Sequence, residues 1–124
     1  MRVASTIAGL LLAQGALACG YCVEDKIAAA YDHSVIVRAV DGRHKVAFLS
    51  VEGTPAKSQE RTLARAVEST AGVDRGTVRV SIEGGALSFA FDPSRHSLRS
   101  IVDGIQKQFA AKGAGVSVLR VVGD

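Results

Sequence analysis

The chain has 124 residues, 48% of them hydrophobic and 22% charged, with two Cys and no Trp. That composition allows one modest globular core and excludes a multidomain architecture. The formal charge of +3 comes from bases spread singly among acids, Arg61, Arg65, Arg75, Arg79, Arg95, Arg99 and Arg120 included, so no basic stripe argues for nucleic acid.

Residues 1–18 read as a secretory signal peptide. Arg2 gives a minimal positive start, Val3 to Leu12 an apolar run, and Ala16-Leu17-Ala18 a small-x-small cleavage site. Gln14 and Gly15 interrupt that run, which is already shorter than the roughly 20 residues a membrane span needs. Cleavage makes Cys19 the first residue of an exported, periplasmic chain and leaves 14 basic against 12 acidic residues. Ala16-Leu17-Ala18-Cys19 also loosely resembles a lipoprotein box, which would acylate Cys19 and anchor the chain to a membrane; Ala16 stands where such boxes usually carry Leu.

Residues 19–45 form a C-x-x-C segment and an N-terminal helix. Val23 to Tyr31 has three consecutive alanines, acids in its first turn, and Val23, Ile27, Ala30 and Tyr31 along one side. Residues 34–40 are ambiguous: Val35, Ile36, Val37 and Val40 are β-branched, yet Ser34, Val37 and Asp41 keep a helical period.

From residue 46 to the end the pattern is that of one domain. Val46–Val51 is a short apolar run suited to a buried strand, broken by Gly53-Thr54-Pro55. Leu63, Ala66, Val67 and Ala71 recur at helical spacing before Gly72-Val73. Thr77–Glu83 and Ala86–Asp92 alternate as two strands, with Gly84-Gly85 predicted to form a two-residue turn in which both glycines take positive φ. Ser97 caps a helix that carries Leu98, Ile101, Val102, Ile105 and Phe109 inward and stops near Gly113, and Val116–Val122 supplies a last strand.

The order is β-α-β-β-α-β, an α+β ferredoxin-like sandwich preceded by an extra N-terminal helix. Arg79, Ser81, Glu83, Ser88 and Asp92 suit the open face of such a sheet. The first and last strands are apolar on both faces, so residues 23–40 are expected to pack over part of it.

In series, Phe48-Leu49-Ser50-Val51-Glu52-Gly53, Ala71-Gly72-Val73, the alternating hairpin, and Phe91-Asp92-Pro93-Ser94 leading to Ile101-Val102-Asp103-Gly104-Ile105 make residues 46–124 resemble the heavy-metal-associated domain family of copper-chaperone-like modules. The resemblance implies a Met-x-Cys-x-x-Cys metal loop between the first strand and the first helix. Here that stretch is Gly53-Thr54-Pro55-Ala56-Lys57-Ser58-Gln59-Glu60, without sulfur, and soft ions select thiolate and thioether ligands. The family's ligands therefore have no counterpart in this loop.

The chain's only cysteines, Cys19 and Cys22, are then its candidate metal ligands. A C-x-x-C ahead of a helix favours thiolates through the helix N-terminus, with Lys26 one turn beyond Cys22 adding to the effect and Glu24 and Asp25 opposing it. Two sulfurs suit low-coordinate Cu(I), whereas zinc needs two further ligands. His33 lies eleven residues on, about 16 Å along a continuous helix, while His44 and His96 are expected to be solvent-exposed. The expected role is an exported metal-binding or metal-relay protein, with copper the leading ion and a metal donor or acceptor protein as partner. The alternatives are a non-catalytic interaction module or lipoprotein that has lost metal handling, and a small thiol-disulfide partner whose pair forms a disulfide. No thioredoxin-like βαβ unit follows the pair and no hydrolytic motif is visible, so the chain is not read as an enzyme.

Overall fold

The structure, a computed structural model, describes residues 23–123. In chain order it comprises α1 (Val23–Ala29), α2 (His33–Asp41), β1 (Lys45–Gly53), a 3₁₀ turn (Lys57–Gln59), α3 (Glu60–Glu68), β2 (Arg79–Ser81), β3 (Ala86–Phe91), α4 (Leu98–Ala110) and β4 (Ala114–Val122). The four strands form one antiparallel sheet in the order β2-β3-β1-β4. This is the ferredoxin-like α+β arrangement that the sequence pattern implies.

Because side chains alternate across a strand, β1 and β3 each feed two cores. Ala47, Leu49, Val51, Leu87, Phe89 and Phe91 face α3 and α4, where they meet Leu63, Val67, Ile101, Ile105 and Phe109. Val46, Phe48, Ala86 and Ala90 face the other way, onto Ile27, Ala30, Val35 and Ala39 of the N-terminal segment. Ser97 caps α4 as expected, accepting from the Ser100 N–H.

The N-terminal segment does cover the second face, as two helices. The ambiguity at residues 34–40 resolves to helix because Asp32, extended at φ −139°, accepts hydrogen bonds from the Ser34 and Val35 N–H groups. A satisfied cap of this kind outweighs the modest helix penalty of β-branched residues. With the face covered, Ser88 is buried, contrary to its expected exposure, and its hydroxyl donates to the Ala30 carbonyl at 2.6 Å.

The hairpin departs from expectation at both ends. Thr77 stays out of β2 because its hydroxyl donates to the Asp74 carbonyl and accepts from the Ala90 N–H. The Ile82 N–H donates to the Glu60 carboxylate of α3. The connection thus spans residues 82–85, and of its two glycines only Gly85 has positive φ, at 67°. Gly84 serves close approach instead: a Cβ there would stand 2.3 Å from that of Ala29 in α1. The α3 helix also stops earlier than the apolar spacing implies, and Ala71 is exposed.

β4 is an edge strand and is only partly covered, with Val118 and Val121 exposed. Its pairing with β1 shifts by one residue, from Phe48↔Arg120 to Leu49↔Val118, leaving Leu119 as a bulge. Leu119 packs with the N-terminal layer.

Candidate functional site

Three regions bear on function. At the first, the β1–α3 connection, β1 ends at Gly53 and the chain passes through the Lys57–Gln59 turn into Glu60. Gln59 provides no side-chain cap, Lys57 lies 3.8 Å from Glu83 with both side chains in solvent, and Glu60 is occupied by Ile82. The connection that carries thiolates in heavy-metal-associated domains is here an oxygen- and nitrogen-bearing surface loop.

The second region is the C-x-x-C pair. Cys19 and Cys22, with the signal peptide and the lipoprotein-like box, lie outside the described residues; their attachment to the domain, through α1, is described. Glu24 bonds Arg120 on β4 at 2.9 Å, and that hydrogen bond and the guanidinium charge lower the Glu24 pKa. The Lys26 ammonium donates to the Ser50 hydroxyl of β1 at 2.6 Å. Ile27 and Ala30 are buried in the N-terminal core. Lys26, expected to support the Cys22 thiolate, is thus engaged by the sheet. At seven residues α1 is also shorter than the nine expected, so the helix-dipole contribution at its start is small.

The third region was not apparent from the sequence pattern. His44 is not a free surface histidine: its Nδ1 lies 2.5 Å from Asp74, its Nε2 lies 3.8 Å from Asp92, and its side chain is 32% exposed. Lys45 pairs with Phe91 in the sheet, which sets His44 opposite Asp92. Asp74 is drawn in by its N–H bond to the Ala90 carbonyl. The Asp92 pKa is lowered, first by the Ser94 hydroxyl and N–H and further by the charges of His44 and Arg95, against the opposing effect of burial. His33 instead meets the Tyr31 hydroxyl at 3.0 Å. Among the described residues, no group of three or more His, Cys, Asp and Glu is placed to hold a metal ion.

The sheet order and the two helices on one face define the class: a ferredoxin-like domain with the fold of heavy-metal-associated proteins. The chain is similar to oxidised MerP from Ralstonia metallidurans CH34, at 23% identity over 62% of this chain and 99% of that one, with a TM-score of 0.50. It is similar to the copper binding domain from HMA7, a P-type ATPase, at 17% identity over 62% and 96% of the two chains, with a TM-score of 0.50. It is also similar to the N-terminal domain of a potential copper-translocating P-type ATPase from Bacillus subtilis in the Cu(I)-loaded state, at 12% identity over 65% and 94%, with the same TM-score. At these identities the likeness is one of fold. No protein-family model matches the chain, and no curated protein matches it significantly.

Proposed function

We propose that this is an exported metal-binding or metal-relay protein that holds a soft ion, with Cu(I) foremost, through Cys19 and Cys22. The observation that carries the reading is the separation of scaffold from ligands. Two of the structural relatives are copper domains of P-type ATPases, yet the β1–α3 loop here has no sulfur. The chain's only C-x-x-C pair directly precedes α1, a helix bonded to β1 and β4. Two thiolates supply the low-coordinate, soft environment Cu(I) selects. The protein would exchange the ion with a donor or acceptor protein in the periplasm. It would touch a membrane only if Cys19 were acylated.

The deciding measurement is Cu(I) competition against a chelator with the mature protein, comparing wild type with Cys22→Ser. The variant is expected to lose tight binding, and equal affinities would sink the reading. Intact mass should first show two free thiols. A diacylglycerol adduct on Cys19 would favour the second reading, an anchored interaction module, which the Ala16-Leu17-Ala18-Cys19 sequence motivates.

A further inference from the structure

The molecule has a cavity of about 340 Å³ between α2 and residues 74–77, with no residue of the β1–α3 loop in its lining. That volume falls in the range of small-ligand pockets. Its lining divides into two parts. Val35, Ala39 and Ala90, all buried in the second core, supply apolar surface. Arg38, Arg75 and Thr77 belong to the polar part.

The charges in that lining are unevenly satisfied. Asp74, the one acid in it, is already met by His44 at 2.5 Å. Nearby Arg79 is also committed, to Asp32 and to the carbonyls of Gly76 and Val78. Arg38 has only a long Nε bond to the Ser34 carbonyl, at 3.4 Å. Neither Arg38 nor Arg75 has a carboxylate within 4 Å among the described residues. Two guanidinium groups without acid partners beside one apolar-walled cavity form a chemical pattern suited to an anionic head on a short apolar body.

We propose that this cavity binds a small organic carboxylate, its head held by Arg38 and Arg75 and its body against Val35, Ala39 and Ala90. The proposed contacts call on neither Cys19 nor Cys22. Arginine suits this role because its planar donor fork matches a carboxylate in two parallel bonds. Asp74, the one acid in the lining, has its Oδ2 engaged by His44 Nδ1.

The test uses the whole mature protein, ¹⁵N-labelled, titrated with hexanoate and separately with acetate as a head-only control. Saturable amide shifts at Gly42, Gly76, Thr77 and Ala90 are expected with hexanoate, at higher affinity than with acetate. Arg38→Ala and Arg75→Ala should each weaken binding about tenfold, the scale of one charge-assisted hydrogen bond. Both positions are exposed, so unchanged thermal unfolding confirms that each variant is folded. Cu(I) affinity should be unaltered in both. Absence of saturable shifts, acetate binding as tightly as hexanoate, or hexanoate affinity unchanged in both variants would overturn the proposal.

Discussion

The two faces of the sheet are covered in different ways. Toward α3 and α4 the contacts are large and apolar, with Phe89, Phe91, Phe109, Ile101, Ile105 and Leu63 all essentially inaccessible to solvent. Each such side chain stabilises the fold by about 1.5–3 kcal/mol through burial. Toward α1 and α2 the buried set is mostly alanine and valine around the single aromatic Phe48. That layer is fixed instead by polar links: Lys26 to Ser50, Ser88 to the Ala30 carbonyl, Arg79 to Asp32 and Arg120 to Glu24. The first face is a hydrophobic core in the ordinary sense, whereas the second is a close-fitting cover whose position depends on named contacts. Cys22 directly precedes α1 in the sequence, so the chain runs from the C-x-x-C segment straight into the more thinly packed of the two layers.

The contrast can be broken most severely in the core. Phe109→Ala is expected to cost about 3–5 kcal/mol in denaturant unfolding, and Ile27→Ala, under the thinner cover, about 2 kcal/mol. Equal losses would erase the distinction. Gly84→Ala should cost about 1–3 kcal/mol by overpacking, because the new Cβ would collide with Ala29. Hydrogen exchange should then quicken in α1 and α2 while α4 keeps its protection; uniform quickening would show the two layers to be one cooperative unit.

A smaller effect should appear as a pH slope. The Asp32 pKa is lowered from 3.8 to about 2 by hydrogen bonds from Ser34, Arg79 and the Val35 N–H, in that order. A carboxylate whose pKa is depressed by folding stabilises the protein above its unfolded-state value. That contribution should therefore be complete above about pH 4 and fall away toward pH 2. Asp32→Asn should flatten stability across that window, and an unchanged slope would remove Asp32 from the cover's supports. Smallest is Arg43→Gly. Arg43 has φ 64°, and its N–H and that of His44 bond back to the carbonyls of Val40 and Ala39 to close α2. Glycine normally takes this left-handed position, so the variant should gain up to about 1 kcal/mol, measured as a raised unfolding midpoint.

The ferredoxin-like order was legible because its signals are local: the apolar run at Val46–Val51, the alternation through Leu87, Phe89 and Phe91, and Ser97 ahead of an apolar helical stripe. The segment at residues 34–40 was ambiguous when judged by Val35, Ile36 and Val37 alone, since the deciding residue, Asp32, lies just before them. Asp32-x-Ser34 is a capping signal that could have settled it. Ser88 and Gly84 look like an exposed strand residue and a turn residue until α1 is laid against them. The carboxylates around His44 come from distant parts of the chain, Asp74 lying 30 positions on, so no window of sequence could pair them. The cysteines stood out by composition, whereas the cavity with Arg38 and Arg75 depends on the packing of α2 over β3.

The bulge at Leu119 affects more than the local pairing of β1 and β4. A long edge strand is a template on which another chain can continue the ladder, and β4 has nine residues. With Leu119 inserted between Val118 and Arg120, an incoming strand would lose its hydrogen-bond register partway along, and the added local twist would turn the remaining edge away from it. The same residue that helps seat the N-terminal cover thus shortens the surface available for aggregation.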